Sequence, residues 1–348
     1  MALSRVRIAN VRCLRDVELE LDPKRSFIFG PNGAGKTSLL EALFLLGRGR
    51  SFRTRQLRRL VRHGDHELAV YGEVTSEGRQ HRLGVAVREG RLEKKINGQE
   101  ASGMAALAEA LPVYAIHPGI HALVEGGPSE RRRFLDWGVF HVEQGYLEAW
   151  KRYRRVLSQR NAALKTRLGS GELRAWDAAL VESGIAVDLS RKAYVARLAT
   201  SVEQLSRQLL QQAMQLEYRS GWRAERSFAD ALAEGEAGDR TSGTTEAGPH
   251  RAELVLKLEG RRLQDEASRG QQKLAAAALV LGQVALDPSA AVLLIDDPGA
   301  ELDAAALERL TAVLDGLGAQ LVVTGLSPPP RTAGYPVFHV ERGDVQAL

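Results

Sequence analysis

The stretch Gly30-Pro31-Asn32-Gly33-Ala34-Gly35-Lys36-Thr37 decides the fold of this 348-residue chain. It follows the pattern GxxxxGK[ST], in which a glycine-rich loop joins a strand to a helix and its backbone N–H groups hold phosphate oxygens. The short apolar run 26–29 predicts the strand, and leucines at helical spacing after Thr37 predict the helix. The loop therefore predicts an α/β domain that binds ATP. Lys36 is expected to reach the β- and γ-phosphates, and Thr37 to offer its hydroxyl to Mg²⁺.

A second motif supplies carboxylates. The five apolar residues at 291–295 are typical of a buried parallel strand, and Asp296 and Asp297 follow them directly. This is the Walker B form. We expect Asp296 to hold Mg²⁺ through water and Asp297 to polarise the water that attacks the γ-phosphate. With Lys36 these two residues form the predicted catalytic set.

The segment Ser268-Arg269-Gly270-Gln271-Gln272-Lys273 opens a predicted helix and resembles the signature loop LSGGQ of ABC-type ATPases. Ala267 and Arg269 stand where that loop usually has leucine and its first glycine. In that class the loop reaches across a dimer to the γ-phosphate on the partner's P-loop, which implies nucleotide contacts from Ser268, Gly270 and Gln271. The alternative is an ordinary serine N-cap. The tripeptide Glu301-Leu302-Asp303 resembles the D-loop of the same class.

A closer resemblance covers nearly the whole chain. The runs GPNGAGKTSLLEALFLLGRGRSFR, GGPSERRRFLDW at 126–137, SQRNAALK at 158–165, GPHR at 248–251 and SRGQQKL at 268–274 together look like the RecF family. The resemblance implies an SMC-like ATPase head and an ATP-driven homodimer with slow ATP hydrolysis. It also implies binding to DNA at single-strand gaps, in recombinational repair and replication-gap processing, and support of RecA loading with RecO and RecR.

The chain departs from the family pattern at three places. Asn10 to Leu14 lack the aromatic residues of an NFRNY-like stretch, and Pro298 follows the two aspartates where other residues are usual. The switch histidine of ABC-type ATPases is not evident near Thr324, which leaves the mechanism of hydrolysis open.

The fold class expected is a P-loop ABC-type ATPase head plus a mainly helical second lobe. Alternating residues between 67 and 96, separated by Gly-containing turns, predict an antiparallel sheet inserted after the P-loop helix. The expected domains are 1–125, an ATPase lobe with the P-loop and the β insertion, 126–235, a helical lobe, and 236–348, the C-terminal part of the ATPase lobe. The small polar residues at 233–248 predict a flexible connection or a surface loop.

The net charge of +5 is compatible with nucleic-acid binding but does not show it, and the clustering of the basic residues is more informative. No acidic residue lies between Glu41 and Asp65, where the candidate DNA contacts are Arg48, Arg50, Arg53, Arg55, Arg58, Arg59 and Arg62. Weaker candidates are the clusters at 131–133 and 151–165. Some of these arginines could instead meet the partner subunit or the nucleotide. His250 and Arg251 are weaker candidates for the periphery of the active site.

Other features bear on cellular location. A single cysteine, Cys13, excludes an internal disulfide, and charges interrupt the N-terminal residues, so we expect no signal peptide. The apolar stretches are shorter than the ~20 residues of a spanning helix, which predicts a cytoplasmic protein without a membrane partner. The alternative function is the ATPase subunit of a transporter, although the interval from Lys36 to Ser268 is long for that class. A full chromosome-structuring SMC protein would need a long coiled coil, for which the chain has no room.

Overall fold

The computed structural model describes residues 1–76, 78–166, 169–300, 302–328 and 334–348. They divide into two compact units, Met1–Ile120 with Leu279–Leu348, and His121–Ala278. Among the helices of these ranges, none combines the length and the apolar character needed to span a bilayer.

In chain order the strands are β1 (Ala2–Val11), β2 (Leu14–Glu20), β3 (Arg25–Phe29), β4 (Glu67–Ser76), β5 (Arg79–Arg88), β6 (Arg91–Ile96), β7 (Gln99–Glu100), β8 (Val113–Ile116), β9 (Met214–Arg219), β10 (Glu253–Leu258), β11 (Arg261–Arg262), β12 (Val292–Ile295), β13 (Gln320–Gly325), β14 (Val337–Glu341) and β15 (Asp344–Ala347). The helices are α1 (Lys36–Arg48), α2 (Met104–Ala110), α3 (Ala122–Glu125), α4 (Pro128–Val142), α5 (Tyr146–Lys165), α6 (Ser170–Leu210), α7 (Phe228–Ser242), α8 (Leu263–Glu266), α9 (Arg269–Leu286) and α10 (Ala304–Asp315).

The first unit is built on two sheets. One is antiparallel, in the order β2-β1-β4-β5-β6-β7, and contains the predicted insertion at 67–96 as β4, β5 and β6. The other has the order β15-β14-β3-β13-β12-β8, and its five strands from β14 to β8 are parallel. The carboxyl ends of parallel strands meet at one edge of a sheet. The P-loop after β3, the two aspartates after β12 and Thr324 near the end of β13 therefore share that edge.

Helix α1 packs against strands of both sheets. Its leucines at 39, 43, 45 and 46 are fully buried, which explains why the helix is apolar nearly all round. Burying one such side chain stabilises the fold by roughly 1.5–3 kcal/mol. The helix ends at Gly49, whose left-handed φ of 57° and N–H bond to the carbonyl of Leu45 close the last turn. This packing fixes the start of α1, where the P-loop lies.

The second unit is mainly helical. Its longest helix, α6, has 41 residues and is therefore about 60 Å long. A small antiparallel sheet in the order β11-β10-β9 accompanies the helices. Because β10 pairs with β9 along its whole length, this unit continues past the predicted end of the helical lobe at residue 235. The boundary between the units falls within α9 rather than at 235/236.

The prediction of a loop at 233–248 is wrong for its first ten residues. Helix α7 continues to Ser242, and the Ser227 Oγ atom caps its start by accepting the N–H of Asp230 at 3.1 Å. The alanines and glutamates of this stretch favour helix strongly enough to outweigh Gly235 and Gly238, each of which costs about 1 kcal/mol.

Candidate nucleotide-binding site

The P-loop lines a cavity of about 390 Å³ in the first unit. Gly30 has a φ of 155°, and a Cβ atom there would lie 2.1 Å from the carbonyl oxygen of Val340 in β14. Only glycine allows so close an approach of the two backbones. Gly33 has a φ of 79° and no atom within 4 Å of its Cβ position, so this turn of the loop is open for a ligand.

Lys36 reaches back over the loop. Its Nζ atom donates hydrogen bonds to the carbonyl oxygens of Gly30 at 2.6 Å and Pro31 at 3.1 Å, and the side chain is buried. The ammonium group is thereby held against the wall of the cavity that its own loop forms. A phosphate in the cavity would offer this group stronger, charged acceptors than the two carbonyl groups do.

Thr37 and Asp296 are brought into contact across the cavity. The Thr37 hydroxyl lies 3.0 Å from Oδ1 and 2.9 Å from Oδ2 of Asp296. Burial raises the pKa of Asp296, and the hydrogen bonds from Thr37 and Thr324 oppose that effect. A hydroxyl and a carboxylate oxygen are the ligands that Mg²⁺ prefers. The pair therefore fits the predicted metal site.

Asp297 also lines the cavity, and its backbone is unusual. Its φ of 45° lies in the left-handed region, which a non-glycine residue adopts at a cost of about 1 kcal/mol or more. The Asp297 N–H donates to the Thr324 hydroxyl at 2.9 Å, and this bond holds the residue in that conformation.

Thr324 is a positioning residue that the sequence analysis missed. Its side chain is fully buried, and its hydroxyl also donates to Oδ1 of Asp296 at 3.0 Å. One hydroxyl thus orients both aspartates, in a region where no switch histidine was found. The sequence feature that could have identified Thr324 is a polar residue near the carboxyl end of a buried strand that pairs with the Walker B strand.

Replacing Thr324 with valine is expected to lower kcat for ATP hydrolysis about tenfold, since a hydrogen bond to a charged group is worth about 1.5 kcal/mol. The KM for ATP should change less than threefold, because the P-loop is intact. Thr324→Ser keeps the hydroxyl and serves as the control. Steady-state ATPase assays check both, and a valine variant with unchanged kcat would contradict the positioning role.

Arg53 reaches the same cavity. Ser51 holds its loop, because the Ser51 Oγ accepts the N–H groups of Arg53 and Thr54 at 2.9 and 3.0 Å and bonds to the buried carboxylate of Glu41. Glu41 also accepts a bidentate pair from Arg12 and lies 3.8 Å from the Arg53 guanidinium. Of the alternatives left open for Arg53, contact with the nucleotide agrees best with this placement.

The signature segment forms the N-terminus of α9. The Ser268 Oγ accepts the N–H of Gln271 at 3.3 Å, and the Gln271 Oε1 accepts the N–H of Ser268 at 3.0 Å, which is a capping box. Ser268 is thus an N-cap, which was the alternative interpretation of this segment. Residues 268–271 are all exposed, so the cap also leaves the helix N-terminus open to an anion from outside.

The resemblance to a D-loop can be followed in part. Glu301 lies outside the described residues. Asp303 caps α10, because its Oδ1 accepts the N–H of Ala306 at 2.7 Å.

The arginines of the first cluster, between residues 48 and 62, differ in burial and in their partners. Arg48 lies over the Phe44 ring at 5.2 Å, and burial lowers the pKa of its guanidinium. Arg62 pairs with Asp65 at 3.2 Å. Exposed side chains remain at Arg50, Arg55, Arg58 and Arg59, besides Arg53 at the cavity. DNA contact stays a prediction for the seven arginines, and burial makes Arg48 the weakest of them.

Arginines of the clusters at 131–133 and 151–165 form ion pairs and hydrogen bonds within the second unit. Arg131 is buried, pairs with Glu253 at 2.8 Å and donates to the carbonyl oxygens at the end of α3. Arg160 is fully buried between Asp177 and Asp239. Exposed Arg152 pairs with Glu182 at 2.7 Å. Structural ion pairs explain much of the charge that the sequence suggested for DNA.

His250 also has a structural role in the second unit. Its Nε2 lies 2.8 Å from the carbonyl oxygen of Thr245, and its Nδ1 lies 2.6 Å from the Tyr153 hydroxyl. Because a carbonyl only accepts, the proton is on Nε2 and the tyrosine donates to Nδ1. Burial lowers the pKa of His250 to about 4, so the ring is neutral at pH 7. These contacts explain the histidine without the nucleotide, and its predicted place at the active-site periphery stays a prediction.

The family model described as RecF/RecN/SMC N terminal domain matches residues 2–338. The DNA replication and repair protein RecF of Thioalkalivibrio sulfidiphilus is 40% identical over 99% of both chains. Its counterpart from Azotobacter vinelandii is 40% identical over 99% of this chain and 98% of its own.

The chain belongs to the RecF family.

Solved structures agree with this assignment. The recombination mediator protein RecF with ATP, from the RecFOR pathway, superposes with a TM-score of 0.89 at 26% identity and covers 100% of this chain and 97% of its own. An Smc head domain from Pyrococcus furiosus matches with a TM-score of 0.64 at 15% identity over 100% and 96% of the two chains, a likeness of fold alone. The predicted P-loop ABC-type head is confirmed for this RecF-family chain.

Proposed function

We propose that this chain is an ATP-dependent DNA-binding protein of DNA replication and recombinational repair, with slow ATP hydrolysis as its switch. The observation that carries the proposal is one cavity lined by Lys36, Thr37, Asp296 and Asp297. Relatives at 40% identity are DNA replication and repair proteins, and a related structure contains ATP. These relatives do not favour the alternative of a transporter subunit.

The residues of the cavity divide the chemistry among them. Backbone N–H groups of the P-loop between Asn32 and Thr37 and the Lys36 ammonium bind the β- and γ-phosphates, and Arg53 adds a second positive charge. Thr37 and Asp296 would hold a magnesium ion, which supplies charge neutralisation to the phosphates when bound. Asp297 orients and polarises the attacking water, and Thr324 keeps both aspartates in place.

ATP also joins two copies of the chain. In this proposal the exposed Ser268, Gly270 and Gln271 of one copy bind the γ-phosphate held by the P-loop of the other. ATP then binds the joined state more tightly than the separate chains and stabilises a homodimer. Hydrolysis removes the shared γ-phosphate, so that the dimer and its DNA separate.

The partners follow from the family. We propose that the dimer binds DNA at the junction of single and double strands, in the cytoplasm, and supports RecA loading with RecO and RecR. The exposed Arg50, Arg55, Arg58 and Arg59 are candidate contacts to DNA phosphates.

The test is retention of DNA. A gapped duplex with a fluorescent label is incubated with the full chain in the presence of ATP, ADP or no nucleotide, and binding and mass are measured by fluorescence-detected sedimentation. We expect a dimer on DNA with ATP and weak, salt-sensitive binding without it. Equal retention in the three conditions would contradict the proposal.

A further inference from the structure

Three arginines from segments that are distant in the sequence lie around His250 on the second unit. They are Arg132 of α4, Arg154 of α5 and Arg251 in the turn before β10, and we call them the arginine triad. The clusters that contain the first two are otherwise largely committed to ion pairs, as for Arg131, Arg133, Arg152 and Arg160.

Hydrogen bonds bring the three segments together. The Arg132 Nη1 donates to the carbonyl oxygen of Ala252 at 2.8 Å, which places it beside Arg251. The Tyr153 hydroxyl bonds to His250 at 2.6 Å, which places the next residue of α5, Arg154, near the same turn. The positive charges of Arg251, Arg132 and Arg154 each help to lower the pKa of the His250 ring, after the larger effect of burial.

No carboxylate of the described residues forms an ion pair with any member of the triad. The acidic groups that act on Arg132 from farther away are Glu253 and Asp136, and both are already paired, with Arg131 and with Arg191. Arg154 lies over the Trp150 ring at 5.6 Å, which leaves its N–H groups available, and Arg154 and Arg251 are exposed. The charge of Arg251 acts on Arg132, and an anion bound between the two segments would compensate these like charges.

Hydrogen bonds hold in place the turn that carries Arg251. His250 is neutral and fixed by Tyr153 and Thr245, and Gly248 donates its N–H to the carbonyl oxygen of Gly221 at 3.2 Å. Guanidinium groups suit phosphate oxygens, since their planar N–H donors match the geometry of a phosphate.

We propose that the arginine triad is a binding site for the phosphate backbone of DNA on the second unit. This inference rests on the proposed function. It narrows the weaker candidate clusters at 131–133 and 151–165 to Arg132 and Arg154 and joins these two residues with Arg251 in one site. The triad therefore recognises the charge and the spacing of the DNA phosphates and not the base sequence.

The test compares two double variants of the full chain with ATP. Arg154→Gln/Arg251→Gln removes two triad charges. Arg207→Gln/Arg219→Gln removes two exposed charges of the second unit that are paired with Glu203 and Glu217 and is the matched control. Affinity for a labelled gapped duplex is measured by anisotropy between 50 and 300 mM salt, roughly the range over which phosphate contacts weaken.

We expect the triad variant to bind DNA about tenfold more weakly near physiological salt, with a salt slope smaller by about 2. The control should bind within about twofold of the wild type, and ATP-dependent sedimentation without DNA should be equal for all three proteins. Equal binding by the triad variant and the wild type, or equal losses in both variants, would overturn the site alone. A wild type that binds no DNA with ATP would overturn the proposed function and the site with it.

Discussion

Replacing Lys36 with methionine is expected to raise the Kd for ATP at least about thirtyfold, because removal of one partner from an enclosed charge pair costs about 2–5 kcal/mol. The Lys36 Nζ is held over the P-loop at the carbonyl groups of Gly30 and Pro31, where the phosphates would bind. Methionine has a similar length and no charge, so the wall of the cavity stays filled. Calorimetric titration with a slowly hydrolysed ATP analogue measures the change.

The control for this variant is Lys151→Met, which removes an exposed lysine that is paired with Glu148 on α5. Thermal unfolding of both variants should follow that of the wild type within a few degrees. A Lys36→Met protein that binds the analogue with wild-type affinity would show that the P-loop is not the nucleotide site.

Replacing Ser268 with aspartate is expected to abolish the ATP-dependent dimer and to leave ATP binding by single chains unchanged. Aspartate is as good an N-cap as serine and is favoured at a helix N-terminus, so α9 should keep its stability. Its carboxylate, however, would face the γ-phosphate held by the partner, and like charges at that distance repel. Sedimentation velocity with ATP measures the mass.

Ser268→Thr keeps both the cap and the hydroxyl and should dimerise with an affinity close to that of the wild type. If the aspartate variant still forms the dimer with ATP, the signature segment does not contact the nucleotide of the partner.

Local patterns in the sequence were sufficient to predict the elements of the nucleotide site. The P-loop needs glycines, a lysine and a threonine at fixed spacing, and β12 needs five apolar residues before its carboxylates, so each motif is contained within a short segment. The hairpins between β4 and β6 were predicted for the same reason, since alternation and turn residues are local signals.

Long-range contacts explain what the sequence could not reveal. The sequence predicts exposed side chains for Arg131 and Arg160, because their partners Glu253 and Asp239 are far away in the chain. The role of Thr324 depends on the pairing of β13 with β12, which brings its hydroxyl to the two aspartates. The last ten residues of α7 were predicted as a loop, because the prediction gave Gly235 and Gly238 more weight than the helix-forming residues around them.

The central claim is that each ATP is bound by two copies of the chain, by the P-loop of one and the Ser268 segment of the other. A mixture of Lys36→Met and Ser268→Asp tests it most directly. In a mixed dimer, the P-loop of the Ser268→Asp chain and the serine of the Lys36→Met chain form one intact site. The other site combines the P-loop of the Lys36→Met chain with the aspartate of the Ser268→Asp chain. Because this P-loop does not bind ATP, the aspartate meets no γ-phosphate there and does not oppose the dimer.

The measurement is ATP-dependent sedimentation, with ATP hydrolysis followed on the same samples, for each variant alone and for the equimolar mixture. The shared site predicts that the mixture forms a dimer and hydrolyses ATP while neither variant does so alone. A mixture that equals the sum of its two inactive components would contradict it.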